Sequence, residues 1–369
     1  MMSATTVIVQ PARVAIVGTG AVARLHAEAL ARTDGVRIVA AADPVPGRAA
    51  EFASAHGIPA YYPSLEDLLA ADSIDVVHLC TPPNGHAEQA VAAFRHGAHV
   101  VVEKPPTLSL AELDTILQAA AAADKRLAVV FQQRTGSAAH HIKSLLDSGA
   151  LGRPLVATCN TLWFRGDDYF DVPWRGRWET EGGGTTLSHG IHQIDLLAYL
   201  LGDWQSAHGQ FWRLAREIET EDFSTGTIVF TSGAVASVVT SVLSPRETSS
   251  IRIDTEMATI EVDHLYGHGH ANWRVTPARH VSEADAAAWA LPAVEVASGH
   301  EALLAEVYEA LLNGNSLPAV ADHPARALEI VSAFYASARE NAVIDRSRIL
   351  TEDSLRGGMR APVMETGHA

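Results

Sequence analysis

The stretch RVAIVGTGAVARLHAEAL, residues 13–30, decides the fold. Residues 13–17 are apolar after the first and read as a strand buried on both faces. GTGAVA, residues 18–23, follows, and an alanine-rich run over residues 21–32 reads as a helix. Strand, glycine turn and helix in this order match the G-x-G-x-x-G/A fingerprint of dinucleotide-binding folds. Gly18 permits the tight turn, Gly20 lets the backbone approach a pyrophosphate, and Ala23 keeps the helix close to the sheet. Thr19, Ala21 and Val22 complete the loop, and the helix N-terminus offers N–H donors and the positive end of its dipole. Asp43 ends the next strand-like run, about 20 residues on, where a carboxylate hydrogen-bonds the adenosine ribose hydroxyls. Such a carboxylate repels a 2′-phosphate. Pro44, Val45 and Pro46 follow it, with no arginine before Arg48, so NAD is expected as cofactor rather than NADP.

Outward from this unit the pattern repeats. Apolar runs at residues 36–41, 75–79, 99–102 and 127–130 alternate with helical stretches at 46–56, 65–70, 85–96 and 110–123. Alternating strands and helices imply a doubly wound parallel sheet. The pattern changes after residue 132. A helix over 137–148 leads to strand-like runs at 154–164, 206–213, 225–230, 234–243, 251–254 and 259–264. One helix, 188–201, interrupts them, and two more, 300–313 and 323–339, precede a tail, 357–369, that reads as loosely ordered. The fold class expected is therefore α/β. Residues 1–132 form a Rossmann domain that binds the dinucleotide. Residues 133–369 form a C-terminal α/β domain with an open, mostly antiparallel sheet, for substrate binding and oligomerisation.

Length and composition bound the function. The chain has 369 residues, 47% hydrophobic and 19% charged, which suits two globular domains. Its 43 acidic and 27 basic residues leave a formal charge of -16, which disfavours nucleic acid and anionic membrane as partners. The two cysteines, Cys80 and Cys159, exclude a disulfide framework and suit a reducing compartment. The N-terminal residues lack the basic, apolar and small-residue succession of a secretory signal, and no run reaches the roughly 20 apolar residues of a membrane span. A cytoplasmic location is expected.

Two further segments carry a resemblance. TPPNGH, residues 81–86, and HGAHVVVEKPPTLS, residues 96–109, are similar to the TP-x-x-x-H turn and the EKP strand end of the Gfo/Idh/MocA oxidoreductases. WRGRWETEGGGTTLSHGIHQIDLLAYLLGD, residues 174–203, resembles that family's WR…GGG…G-x-H-x-x-D segment. The resemblance implies a pyridine-nucleotide-dependent oxidation or reduction at a secondary alcohol or ketone, most often of a sugar, sugar derivative or inositol. It also implies a homodimer or homotetramer.

Hydride transfer from an alcohol needs a base for the hydroxyl proton and a partner for the oxygen that gains charge. By the resemblance, Lys104 holds the substrate hydroxyl and stabilises the alkoxide, and His192 is the acid/base. Glu103 orients Lys104, touches the cofactor or is structural. Asp195, three residues past His192, either holds the second ring nitrogen or serves a salt bridge. Thr81, Pro82, Asn84, His86, Gln133, Trp174 and Arg175 are expected along the cofactor. Arg134, Trp163, Arg165, Trp178, Ser188 and His189 are expected toward the substrate, since flat rings and guanidinium groups suit sugar faces and hydroxyls. Many members carry an aspartate four residues before the histidine. Ser188 stands there instead, and a hydroxyl supplies neither charge nor a base near neutral pH. Asp263, His264, His268 and His270 carry metal-type residues, yet Gly267 and Gly269 favour a turn, and no metal is expected. A non-catalytic NAD-binding sensor and a dehydrogenase for a non-sugar substrate are the alternatives.

Overall fold

The apolar runs and alanine-rich helices become a six-stranded parallel sheet in a computed structural model that describes residues 11–318 and 323–365. The tail residues 366–369 and the N-terminal ten, on which the reading of a missing signal rests in part, lie outside the described residues. The strands are β1 (Ala12–Val17), β2 (Val36–Ala42), β3 (Ala60–Tyr62), β4 (Val76–Leu79), β5 (His99–Val102) and β6 (Leu127–Val129). Their order is β3-β2-β1-β4-β5-β6, and every pairing is parallel. Helices α1 (Ala21–Leu30), α2 (Arg48–His56), α3 (Leu65–Ala71), α4 (His86–Arg95) and α5 (Leu110–Ala122) connect them. The strand order reverses beside β1, and open α/β sheets bind ligands at such a point, at the carboxyl ends of their strands.

The first compact unit takes the described residues up to Thr107, Glu112–Gln132, and a return that begins at His300. A single division at 132/133 does not contain that return. Its helix packs on α1: Leu303, Leu304, Val307 and Leu311 join Ala23, Ala27 and Leu30 in one buried cluster. The alanines on α1 let backbones approach. Each buried leucine or valine contributes about 1.5–3 kcal/mol over an exposed one.

The second unit holds Leu108–Ala111, Gln133–Gly299 and the described residues from Ala325. Its strands are β7 (Pro154–Phe164), β8 (Trp204–Arg213), β9 (Phe223–Phe230), β10 (Val235–Ser241), β11 (Leu243–Thr255), β12 (Ala258–Asp263), β13 (Trp273–Pro277), β14 (Ile344–Asp345) and β15 (Met364–Glu365). They form one sheet in the order β13-β12-β11-β7-β10-β9-β8-β14, with β15 beside β8. The β7–β10 and β8–β15 pairs are parallel and the other pairs antiparallel. The tail expected to be loose thus contributes a short strand at Met364–Glu365. Helices α6 (Ser137–Asp147), α7 (Asp167–Phe170), α8 (Ile191–Leu201), α9 (Glu283–Ala287) and, back in the first unit, α10 (His300–Leu312) follow in chain order before α11 (Arg326–Glu340). Every residue of α8 is buried, the polar His192, Gln193 and Asp195 among its apolar majority included. It packs on α11 and α6 and against β7.

Candidate functional site

In the first unit the glycine loop is built as its sequence requires. Gly18 has φ +82°, and a Cβ there would lie 2.7 Å from the Cys80 carbonyl carbon and oxygen and 2.8 Å from the Thr81 nitrogen. Gly20 caps α1 with ordinary extended backbone. A Cβ on it meets nothing within 4 Å, so it opens onto clear space. The first turn of α1 has neither a side-chain cap nor an acidic residue, and its N–H groups and dipole are left for an anion. Asp43 Oδ2 accepts the Thr19 N–H and hydroxyl, both at 2.9 Å, and Oδ1 accepts the Val45 N–H at 2.9 Å. A carboxylate has about four acceptor sites, so one remains for a ribose hydroxyl. These residues fit a dinucleotide.

Thr81, Pro82 and Asn84 lie after β4, on a loop that ends in a single 3₁₀ turn at Pro83–Gly85. The Thr81 hydroxyl donates to Gln89 Oε1 at 2.6 Å. His86 is buried, with Nδ1 3.0 Å from the Pro105 carbonyl and Nε2 2.9 Å from that of Thr81. It ties this loop to the EKP segment. Lys104 is half-buried, and its backbone N–H donates to Glu103 Oε2 at 3.1 Å.

Glu103 anchors a buried chain of polar groups. Its Oε1 lies 3.0 Å from His26 Nε2 and 2.9 Å from His300 Nε2. His26 Nδ1 lies 2.7 Å from His78 Nδ1, and His78 Nε2 lies 2.8 Å from the Tyr308 hydroxyl. Burial would raise the Glu103 carboxyl, but the histidine N–H donors outweigh it and hold the group well below the usual carboxylate range. Burial lowers His26 and His78. An ionised Glu103 then sets every direction: Tyr308 donates to His78, His78 to His26, and His26 to Glu103. The ligating atoms of His26, Glu103 and His300 fall within 4.8 Å of one another, and protons already bridge them.

In the second unit a π-helical turn, Thr186–Gly190, precedes α8. Such wide turns recur at functional sites. The helix expected from residue 188 therefore begins at Ile191. The buried Glu221 secures the turn: Oε2 accepts the Gly184 N–H at 3.0 Å, and Oε1 accepts the Thr186 N–H at 3.0 Å and the Tyr335 hydroxyl at 2.7 Å. Burial raises the Glu221 carboxyl.

The turn and α8 set His189 and His192 around Trp163. The ring centroids are 5.0 Å and 6.4 Å from Trp163 respectively. Trp163 is itself buried, with Nε1 donating to the Ser249 hydroxyl at 2.9 Å. Tyr266, 45% exposed, lies 5.0 Å from Trp163 and 6.1 Å from His192. Arg165 stacks on Trp163 at 4.9 Å and donates to Glu247 at 2.9 Å. Ser188 donates its hydroxyl proton to the Gly184 carbonyl at 2.7 Å, and its oxygen lies 3.0 Å from His189 Nδ1.

Other expected residues stand apart from this cluster. Arg134 is buried in a two-pronged ion pair with Asp195, with Nε to Oδ2 at 2.5 Å. The carboxylate three residues past His192 therefore serves the salt bridge. Gln133 accepts from Gln193 at 2.6 Å. The Trp178 ring meets Tyr335 at 5.8 Å. Trp174 lies under Arg175, 4.2 Å from its guanidinium. Of the histidine-rich loop, His264 Nδ1 lies 2.5 Å from the Tyr266 carbonyl within the turn, and His270 Nε2 lies 2.7 Å from the hydroxyl of Ser137 at the start of α6.

Three residues escape the sequence reading: Tyr266, Glu221 and Glu181. Tyr266 sits in a glycine-flanked turn with no periodicity. Glu181 directly precedes the triple glycine, which is its only sequence signal. It is 2% exposed, its Oε2 accepts the Gly176 N–H at 2.6 Å, and its Oε1 faces Arg175 Nη1 at 3.5 Å. Burial raises its carboxyl to about 7, against the pull of the Gly176 N–H, Arg175 and Ser188.

Comparisons with known proteins follow the same division. Residues 12–131 match the family model described as oxidoreductase family, NAD-binding Rossmann fold, and residues 139–261 match the GFO/IDH/MocA C-terminal domain. The chain is 30% identical over 282 residues to D-glucoside 3-dehydrogenase of Escherichia coli K12, covering 69% of this chain and 79% of the relative. It is 26% identical to D-apiose dehydrogenase of Paraburkholderia graminis over 95% of this chain and 94% of that one. Among solved structures, the WlbA dehydrogenase of Bordetella pertussis, in complex with NADH and UDP-GlcNAcA, superposes with a TM-score of 0.82 at 27% identity. That match covers 92% of this chain and 99% of the other.

Proposed function

The chain belongs to the Gfo/Idh/MocA oxidoreductases, with an NAD-binding Rossmann domain, and from that premise we propose that it oxidises a secondary alcohol of a sugar, glycoside or polyol. The observation that carries this reading is the surround of His192: an imidazole beside Trp163 and Tyr266, with Arg165 stacked on the tryptophan. The exposed Tyr266 ring, packed on the buried Trp163, offers the aromatic face that suits sugar C–H surfaces; guanidinium groups suit hydroxyls, and an imidazole moves a proton near neutral pH. The names of the relatives, a glucoside 3-dehydrogenase and an apiose dehydrogenase, support the same substrate class.

His192 takes the hydroxyl proton at a ring nitrogen and returns it in the reverse direction. Lys104 supplies positive charge to the oxygen as the proton leaves. Glu103, fixed by its two histidine donors, holds the Lys104 backbone through the bond from its N–H. The α1 N-terminus and Gly20 take the pyrophosphate, and Asp43 takes the ribose and disfavours a 2′-phosphate. Bound NAD supplies the hydride acceptor. Replacing His192 with alanine lowers turnover about 100-fold or more with NAD affinity kept; near-normal turnover in this variant defeats the assignment.

The second unit is the substrate and self-association domain in this reading. Val156 on β7 and Val235 on β10 are partners in register and both exposed, an apolar pair on the sheet that suits a homodimer or homotetramer. Light scattering that finds only a monomer rejects this part. Cys80 and Cys159 are both unpaired, in keeping with a reducing, cytoplasmic setting. Among the described residues no helix is long and apolar enough to cross a membrane.

A further inference from the structure

Three consecutive N–H groups at the start of the helix that carries His192 end on one buried residue of a distant segment. Gly184 N–H donates to Glu221 Oε2 at 3.0 Å, Thr185 N–H to the Glu221 carbonyl at 3.1 Å, and Thr186 N–H to Oε1 at 3.0 Å. Gly184 makes this approach possible: a Cβ there would collide with the Glu221 carbonyl oxygen and lie 2.7 Å from the carboxylate carbon. The Tyr335 hydroxyl on α11 donates to Oε1 at 2.7 Å and steadies the carboxylate.

These are the N–H groups that a helix cannot satisfy by itself. The Gly184 carbonyl already accepts the Ser188 N–H at 2.9 Å, the π-helical turn runs from Thr186 to Gly190, and α8 continues it to Leu201. Such a start is usually capped by the side chain of its own first residue, but Thr185 makes no side-chain cap. Glu221 does so from 35 residues downstream, at the positive end of the helix dipole. The turn is also seated on the sheet. The Thr186 hydroxyl donates to Ser224 on β9 at 2.8 Å, and a Cβ on Gly190 would lie 2.6 Å from Thr240 Cγ2 on β10. His192 follows Gly190 by two residues, its ring centroid 6.4 Å from that of Trp163.

We propose that Glu221 is a positioning residue: it caps the helix that carries His192 and thereby sets where that imidazole stands beside Trp163. The last of the three consecutive glycines then serves to admit the cap. The effect on turnover rests on the dehydrogenase reading above; the cap and the place of the ring do not. Burial raises the Glu221 carboxyl, and the Thr186 N–H and the Tyr335 hydroxyl pull against the rise. Glu221→Gln keeps the volume but has one accepting and one donating end. Whichever way it turns, its amide nitrogen faces either the Gly184 or the Thr186 N–H, and that group loses its acceptor.

The test is amide hydrogen exchange of the full-length protein, with the ring nitrogens of His192 read by NMR after ¹⁵N-histidine labelling. Turnover is read on the same samples with NAD and the sugar that the wild type oxidises. In the wild type the Gly184, Thr185 and Thr186 amides exchange as slowly as those inside α8. Glu221→Gln speeds exchange at Gly184 or Thr186 at least about tenfold and shifts the His192 signals. It lowers kcat at least about tenfold, while KM stays near that of the wild type. Glu221→Asp, one methylene short of reaching both N–H groups, gives the same pattern and stands in if the glutamine variant fails to fold. Asp222→Asn is the structural control. Asp222 is equally buried and accepts the Leu214, Ala215 and Arg216 N–H groups at 2.8–2.9 Å, so this variant loses stability yet keeps the His192 signals and kcat. Fast exchange at the three wild-type amides, unmoved His192 signals in the Glu221 variants, or an equal loss of kcat in Asp222→Asn overturns the proposal. A wild type inactive on every sugar counts against the dehydrogenase reading, and exchange and ring signals still decide this one.

Discussion

Two alanine substitutions, two residues apart, separate folding from cofactor binding. At Gly18 the backbone has φ +82°, and a Cβ would lie 2.7–2.8 Å from backbone atoms of Cys80 and Thr81. Left-handed backbone costs a non-glycine residue about 1–2 kcal/mol. Forcing apart β1 and the end of β4, which are hydrogen-bonded neighbours, adds about 1–3 kcal/mol. Gly18→Ala therefore destabilises the first unit by roughly 2–5 kcal/mol, a melting drop of roughly 4–20 °C at about 2–4 °C per kcal/mol. Gly20 is extended and open. Gly20→Ala leaves melting unchanged or raises it by the small gain from a stiffer unfolded chain, about 0.4–1 kcal/mol. Its methyl group fills the space assigned to the pyrophosphate, so NAD affinity falls at least about tenfold, or 1.4 kcal/mol. Thermal melts with and without saturating NAD, together with calorimetric titration, read both quantities. Undiminished NAD binding by Gly20→Ala refutes the placement of the pyrophosphate. A melting loss in Gly20→Ala as large as that in Gly18→Ala refutes the packing argument.

Other substitutions test other links. Asp195→Asn strips a buried guanidinium of its charge partner and costs about 3–5 kcal/mol in denaturant unfolding; a cost below 1 kcal/mol would mean that Arg134 finds water or another partner. Glu181 carries its folded carboxyl at about 7 against an ordinary 4.5, so the folded state binds its proton more tightly. The resulting penalty is absent below about pH 4.5, grows as pH rises, and is complete above 7, where it reaches about 3 kcal/mol. Glu181→Gln removes it, so the variant gains on wild type in urea unfolding between pH 5 and 8; a constant difference across that range contradicts the burial argument. Asp43→Ser weakens NAD and narrows its advantage over NADP in equilibrium binding, and an unchanged ratio would remove Asp43 from the ribose site.

The first unit was legible because its periodicity is local. Each parallel strand buried on both faces announces itself as an apolar run, and GTGAVA needs only three positions to declare a turn. The strand β3 escaped because three residues, two of them tyrosine, are too few to show a period. The α10 segment reads as a helix, but nothing in its pattern says that it returns to α1 across more than 250 residues. At the site, the motif residues were legible and their partners were not. The spacing of His192 and Asp195 suggests a shared face, yet Asp195 goes to Arg134, a bond fixed by where α8 meets the segment after β6. Glu181, Glu221 and Tyr266 matter through burial and neighbours on distant segments, which a charge pattern along the chain does not encode.

The central claim is NAD-dependent oxidation of a sugar alcohol, and the appearance of NADH absorbance tests it most directly. Purified protein, first checked for bound nucleotide, is offered NAD or NADP with a panel of glycosides, aldoses, anhydrosugars and inositols. The account predicts NADH formation on one group of these sugars, faster with NAD than with NADP, and its loss in His192→Ala. Absence of turnover across the panel by a protein that binds NAD, with no retained nucleotide to be recycled, contradicts it.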